Sequence, residues 1–458
     1  MRELERERAK EYWAQGEHLP EETSAEGDEK PSRKAYRKEK SKEGKQRWRR
    51  RGIFVLLMAL LVSYLFLEHT AYGNGLVAQV TDLTRQGEDE QVAPQESGYA
   101  EEQAAGEEDE PQEEGEEGAE GAAAEEQPAE EKENVYAATM TSEVKDSLAG
   151  LPERVYVPNV MENSITVIDP ATFEIVDSYQ VEQLPYHVTP SWDMSQLLVN
   201  NEESSTFTVI DPETGRPSDT VFAPFPYNFY YTPDGETAIV VVERLQTLEF
   251  RDTETWELKG SVYIPWPGVD HLDFSKDGDY FLASSEWSGA VSKVDVDKME
   301  LVDYVEVGAL PIDIKLSPDG EVFYVADQGT MGVHVIEPEE MKEIDFIPTG
   351  EGAHGLQVSR DTKYLYVSNR LEGTVSVIDF ETRKVVDKWV TGGTPDMFQL
   401  SPDGRQLWVS GRYDGAVYVI DTKSGELLST IYTGAQPHGI AYFPNPGRFS
   451  LGHNGVYR

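Results

Sequence analysis

From Arg154 onward, apolar and polar positions alternate with a period of two in short runs, and the runs recur in a fixed order. Tyr364-Leu-Tyr-Val-Ser-Asn369 alternates and is rich in β formers, and Gly373-Thr-Val-Ser-Val-Ile-Asp379 alternates again. Lys384-Val-Val-Asp-Lys-Trp-Val390 is more polar and charged, as an outer edge must be to resist pairing with other sheets. Met397-Phe-Gln-Leu-Ser401 follows and ends in a Pro-Asp-Gly turn. In chain order these predict strands B, C, D and A, with A innermost.

Two markers give the period. Leu316-Ser-Pro-Asp-Gly320 recurs in varied form around Asp193, Asp234, Asp277, Asp319, Asp361 and Asp403, with Asn445 in the next place. Val-Ile-Asp, or a variant of it, ends at Asp169, Asp211, Asp252, Asp295, Glu337, Asp379 and Asp421. Both registers step by 41 to 43 residues. Short strands, Gly/Asp/Pro turns and a period just over forty define propeller blades. Residues 154–448 hold seven such units. The fold class is all-β: a seven-bladed β-propeller of four-stranded antiparallel blades, preceded by one transmembrane helix and a disordered acidic linker. The chain enters at a B strand, Val155-Tyr-Val157, and its seventh A strand is His438-Gly-Ile-Ala-Tyr442. Blade one must therefore be completed from the far end of the repeat region. Phe449-Ser-Leu-Gly452 matches an eighth B strand, for which seven blades have no vacancy, and is expected to run over one face as a tail.

The region before the repeats divides by charge. Residues 1–51 carry 16 basic and 12 acidic side chains, and twelve of the basic ones lie between Lys30 and Arg51. Residues 52–67 are uncharged and largely apolar. As a helix they cover roughly 24 Å, slightly short of a hydrocarbon core of about 30 Å, which snorkelling by Arg49 to Arg51 can bridge. This predicts a signal-anchor helix with a cytoplasmic basic tail and an extracytoplasmic remainder, so the chain is placed at the cell membrane as a single-pass protein. A cleaved signal peptide would need an n-region of some fifty residues. The linker, 68–133, contains 20 acidic residues and one basic residue between Glu88 and Glu133, too little apolar surface to offset ordering and enough charge to stay extended. Residues 134–153 are a lead-in and 449–458 the C-terminal tail.

The whole chain has a formal net charge of −45 and no cysteine. The charge excludes a generic nucleic-acid binder, and the missing cysteine excludes disulfides, iron–sulfur clusters and covalent haem attachment.

Blade geometry sorts the remaining polar residues. The A–B and C–D turns share one face and serve backbone geometry, while B–C turns and D–A crossovers share the other, upper face. At the upper ends of the A strands stand His187, Asn228, Asp270, His271, Asp313, His354, Asp396 and His438. The B strands end there with Asn159, Asn201, Arg244, Glu286, Gln328, Arg370 and Arg412, and His453 with Asn454 takes the matching register in the tail. His187, His271, His354, His438, Asp313 and Asp396 suit a divalent metal, and Arg244, Arg370 and Arg412 suit a small anionic ligand. The alternative is that each polar group caps a crossover or bonds a neighbouring blade. His187 and His271 share one register and His354 and His438 sit one residue earlier, so all four need not face one centre.

Tyr324-Val-Ala-Asp327, Tyr366-Val-Ser-Asn369 and Val375-Ser-Val-Ile-Asp379, beside the Ser-Pro-Asp-Gly turns, resemble the YVTN-type β-propeller repeat of surface-layer proteins. That family is similar in fold to lactonase-type propellers and to the propeller domains of haem d1 and nitrous oxide reductases. The resemblance implies fold and says little of function. A nitrous oxide reductase needs seven copper-binding histidines and a cysteine-bearing copper domain, and this chain has four candidates and no cysteine. A haem d1 site would rest on His438 with Arg370 and Arg412. A lactonase-type hydrolase would use His271 as base, Glu286, and Arg244 to hold an anion. The preferred expectation is non-catalytic: a binding scaffold whose upper face meets a protein, glycan, ion or small molecule. Trp192, Trp266 and Trp287 are candidates for a contact patch.

Overall fold

The computed structural model describes residues 133–458, and the repeat is realised there as seven four-stranded antiparallel sheets. Six blades use consecutive strands. Blade two, for example, runs outward from Pro185–Pro190 through Leu197–Asn201 and Thr206–Asp211 to Arg216–Phe222. Blade one is closed as the repeat phase requires, by Ala441–Phe443 pairing with Arg154–Asn159. The expected anchor helix and the linker up to residue 132 lie outside the described residues. Among the described residues no helix is long and apolar enough to cross a membrane.

Burial explains the strand pattern. A middle strand such as Phe323–Asp327 is buried along its whole length, because both of its faces meet neighbouring blades. An outer strand such as Arg216–Phe222 is exposed almost throughout, which admits its Pro217 and Asp219. The apolar core lies between sheets: Val155 and Val157 of blade one share a cluster with Trp408, Val417 and Val419 of blade seven. No blade keeps that core alone, so stability belongs to the ring.

The lead-in crosses the lower face. Val135 N donates to Pro318 O (2.9 Å), the Tyr136 hydroxyl to Leu316 O (2.9 Å), and Asn134 Nδ2 to Thr362 Oγ1 (2.8 Å). Arg360 Nη1 reaches back to Thr139 O at 3.2 Å.

The tail departs from expectation. Instead of running over a face, residues 448–458 turn into the central channel as a hairpin, and every residue from Ser450 to Arg458 is buried. Its arms pair through Leu451 N to Val456 O (2.7 Å) and Arg448 N to Arg458 O (2.8 Å). It also lines the inner edge of blade three, where Tyr231 N donates to Leu451 O (2.8 Å) and His453 N to Phe229 O (3.0 Å). The cause is twofold: innermost strands leave backbone groups unpaired toward the axis, and Leu451, Val456 and Tyr457 are apolar. Gly452 sits at the tightest approach, with φ +97° and room for no Cβ, which would lie 2.6 Å from Phe229 O. At the lower end the Arg458 guanidinium bonds both Asp273 carboxylate oxygens at 2.9 Å and lies 4.2 Å over the Tyr136 ring.

Candidate functional site at the upper channel mouth

The site residues are delivered by a repeated irregularity. In blades two, four, five, six and seven the inner strand slips against strand B, with register breaks at Pro185/Val188, Val269/Leu272, Pro311/Ile314, Ala353/Leu356 and Pro395/Phe398. Each break is a β-bulge, and the bulged pairs are Tyr186-His187, Asp270-His271, Ile312-Asp313, His354-Gly355 and Asp396-Met397. Strand B supplies a polar side chain to the stranded backbone amide: Asn200 Oδ1 to His187 N (2.9 Å), Ser284 Oγ to His271 N (3.2 Å), Ser368 Oγ to Gly355 N (2.8 Å). The bulges of blades two and four bring His187 and His271 toward the axis.

There they meet a third histidine, His453 of the hairpin. The rings of His187 and His271 are 5.6 Å apart, His271 and His453 4.6 Å, and His187 and His453 5.0 Å, centroid to centroid. One ring nitrogen from each lies within 4.8 Å of the others, so these three are the described residues able to hold a metal ion together. His438 stands beside them, 4.8 Å from His187. Outer atoms fix the rings. His187 Nδ1 is 2.8 Å from Asn454 Oδ1, His271 Nδ1 2.9 Å from Asp270 Oδ1, and His438 Nδ1 2.6 Å from Asp396 Oδ2. The Nε2 atoms of all three are buried with no hydrogen-bond partner. Burial, helped by His438 and His271, holds His187 well below the usual imidazole range, and burial with His271 does the same to His453. His271 is the exception. Burial works against its charge, but the Asp270 carboxylate outweighs it and raises the imidazole.

Asp396 is the second node. It receives Arg370 Nε (3.1 Å), lies 3.0 Å from His354 Nδ1, and holds His438. Burial opposes its charge, yet Arg370, then His354 and His438, keep the carboxyl well below its ordinary range. His354 is turned to this node, its Nε2 taken by Arg370, and so is separate from the three-histidine cluster. Asp313 is likewise engaged, by Lys315 Nζ at 2.8 Å and Leu356 N at 2.8 Å. The four-histidine, two-aspartate set expected from sequence is thus divided, with His187 and His271 in the cluster, His354 and Asp396 in the ion-pair node, His438 between them, and Asp313 on Lys315.

The B-strand ends clasp successive blades. Arg370 Nη1 donates to Gln328 Oε1 (3.1 Å), and Gln328 Nε2 donates to Glu286 Oε1 (3.1 Å), each link spanning 42 residues. Arg244 binds Glu202 Oε1 (2.6 Å) and Glu203 Oε2 (2.7 Å). The guanidiniums of Arg244 and Arg370 are therefore occupied by carboxylates. Arg412 lies over the Tyr186 ring at 5.5 Å with its Nη1 unpartnered. Burial and then Asp270 lift Glu286 to about 7, and burial with Asp270 and Glu202 lifts Glu243 to about 9. Asn228 bonds the Tyr230 hydroxyl and faces His453 Nδ1 at 2.9 Å. Of the tryptophans, Trp192 stacks on Phe449 and Trp266 on Tyr304, while Trp287 is half exposed on the upper face.

His453 is the cluster member not singled out from sequence, although its register beside Asn454 carried the signal. The walls of Tyr186, Tyr227 and Tyr230 carried none.

Fold and mouth together define a seven-bladed propeller with a polar, histidine-lined channel entrance. Residues 135–446 match the YNCE-like beta-propeller family, and the chain belongs to it. No curated protein matches. Among solved structures, a functionally unknown protein from Desulfotomaculum acetoxidans is similar at 18% identity and TM-score 0.56, covering 64% of this chain and 99% of that one. The dihydro-heme d1 dehydrogenase NirN in complex with DHE is similar at 16% identity and TM-score 0.51, covering 64% and 75%. Kuenenia stuttgartiensis hydrazine synthase follows at 19% and TM-score 0.49, covering 64% and 99%. These likenesses concern the fold. The family match ends at residue 446, before the channel hairpin.

Proposed function

We propose that this protein is a binding module, held outside the cell membrane by a single-pass anchor at 52–67 and an acidic tether, that engages a partner protein through its upper face. The repeat itself we read as YVTN-type. The observation that carries the proposal is a rim of exposed apolar side chains on five B–C turns: Met161, Trp287, Met331, Leu371 and Tyr413, each at least half exposed. Turn tips need no such residues for folding, and a ring of them around one mouth has the character of an interface. Glu162, Glu286, Glu372 and Asp414 stand on four of the same turns, so the favoured partner surface is apolar and basic. Arg244 and Arg370, saturated by carboxylates, are poor holders of a small anion. The test is cross-linking and co-purification with the full chain in its membrane. Trp287→Ala with Tyr413→Ala should cut capture at least about tenfold, and unchanged capture would refute the rim.

A hydrolase is the second reading, favoured by one observation, the Glu286 carboxyl lifted to about 7 beside Asp270. It requires turnover of a lactone or ester that Glu286→Gln abolishes.

A further inference from the structure

We propose that His187, His271 and His453 form a divalent transition-metal site, with the channel hairpin supplying the third ligand. The inference is independent of the rim and of any partner.

Buried polar atoms without a partner are uncommon, and here two of them, His187 Nε2 and His271 Nε2, share one small space with a third imidazole. The outer nitrogen of His187 bonds the Asn454 amide oxygen at 2.8 Å, while that of His271 stands 2.9 Å from the Asp270 carboxylate without hydrogen-bond geometry. At His187 that acceptor places the ring proton on Nδ1 and leaves the Nε2 lone pair pointing inward, the arrangement by which outer residues set metal ligands. The third imidazole, His453, has Nδ1 2.9 Å from the Asn228 amide nitrogen and Nε2 3.4 Å from that of Asn454, and coordination through Nε2 takes the place of the longer contact. A tetrahedral ion with metal–nitrogen bonds of about 2.0–2.1 Å spaces its ligands about 3.4 Å apart. Nitrogens already within 4.8 Å of one another need only a small inward movement of the rings. Asp270 beside His271 supplies negative charge for a dication, and Asp313, 3.9 Å from His453 Nε2, offsets the neighbouring Lys315 ammonium. Imidazole ligands without thiolate select zinc, copper, nickel or cobalt over calcium or magnesium. His438, with its own unpartnered Nε2, stands next to the site, 4.8 Å from the His187 ring.

Because His187 belongs to blade two, His271 to blade four and His453 to the hairpin, a bound ion would pin the hairpin to two separate blades. The experiment uses the purified full chain, stripped with chelator and titrated with Zn²⁺ and with Co²⁺. One equivalent should bind, and cobalt should give the visible absorption of a tetrahedral nitrogen site. His271→Ala and His453→Ala should each weaken binding by at least about a hundredfold, and Asn454→Ala by about ten- to a hundredfold. His334→Ala, outside the mouth, should bind as the parent does. Absence of stoichiometric binding, or full affinity in the His453 variant, overturns the proposal. Should a ligand variant fail to fold, X-ray absorption of the parent zinc complex decides: three imidazoles support the site, fewer reject it.

Discussion

The imidazole of His453 meets that of His271 edge-on, 4.6 Å between centroids and 89° between planes. One ring belongs to a bulged inner strand and the other to a hairpin that entered from the opposite end of the channel. The mouth is therefore completed by a segment outside the blades, and its integrity is tied to how firmly that segment is seated.

Removing the hairpin should be costly. Deletion of residues 449–458 exposes the cluster around Leu451 and Val456 and leaves Asp273 without Arg458. At about 1.5–3 kcal/mol for each fully buried apolar side chain, Leu451, Val456 and Tyr457 together imply about 4–9 kcal/mol. Thermal unfolding should show a melting temperature lower by many degrees, and an unshifted melt would mean that the hairpin carries no stability.

Gly452→Ala tests the tightest contact. A side chain there needs φ +97° and overlaps the Phe229 carbonyl oxygen. A loss of about 2–3 kcal/mol is expected in denaturant unfolding, against at most a few tenths for an exposed, unconstrained glycine.

His438→Gln gives a pH signature. Burial, with Arg412, lowers the folded imidazole to about 4, against about 6.5 unfolded. Between these values the unfolded chain binds the extra proton, so the contribution of His438 is complete above pH 6.5 and is lost as the pH falls toward 4. The stability advantage of the parent over the variant should shrink by about 3 kcal/mol across that window. An advantage constant with pH contradicts the assignment.

Glu286→Gln should act in the opposite sense. With the folded carboxyl lifted to about 7, the folded state binds more protons above the unfolded value near 4.5, and stability declines as the pH rises between them. The variant should therefore gain on the parent by about 1–2 kcal/mol at pH 8, after allowance for partial exposure, and by little at pH 5.

Asp396→Asn removes the carboxylate shared by Arg370, His354 and His438. Breaking one side of a buried pair costs about 3–5 kcal/mol. Chemical denaturation should report it. A loss below about 1 kcal/mol would show that the node is not a stabilising centre.

The blades were legible because their cause is local. Period-two runs such as Tyr364–Asn369 and the Ser-Pro-Asp-Gly turns state strand and turn within a few residues, and the phase mismatch at Val155 announced a closure strand from the other end. The upper face was legible as a collection of residues and not as contacts. His354 and His187 occupy similar places in their repeats, yet His354 faces Asp396 because Arg370 stands 16 residues on, while His187 faces the axis because Asn454 holds its Nδ1. Such choices depend on side chains dozens or hundreds of residues away. The hairpin was misplaced for a related reason. Phe449–Gly452 has the pattern of a strand, and nothing local says that its partner is the inner edge of blade three.

The lead-in across the lower face decides how the propeller answers a pull. Tension arriving from the residues before 133 meets Val135, Tyr136 and Asn134 first, bonded to blades five and six. It reaches the three-residue closing strand of blade one only after those bonds part. A load along the polypeptide thus meets contacts to two blades ahead of the seam where the circle joins.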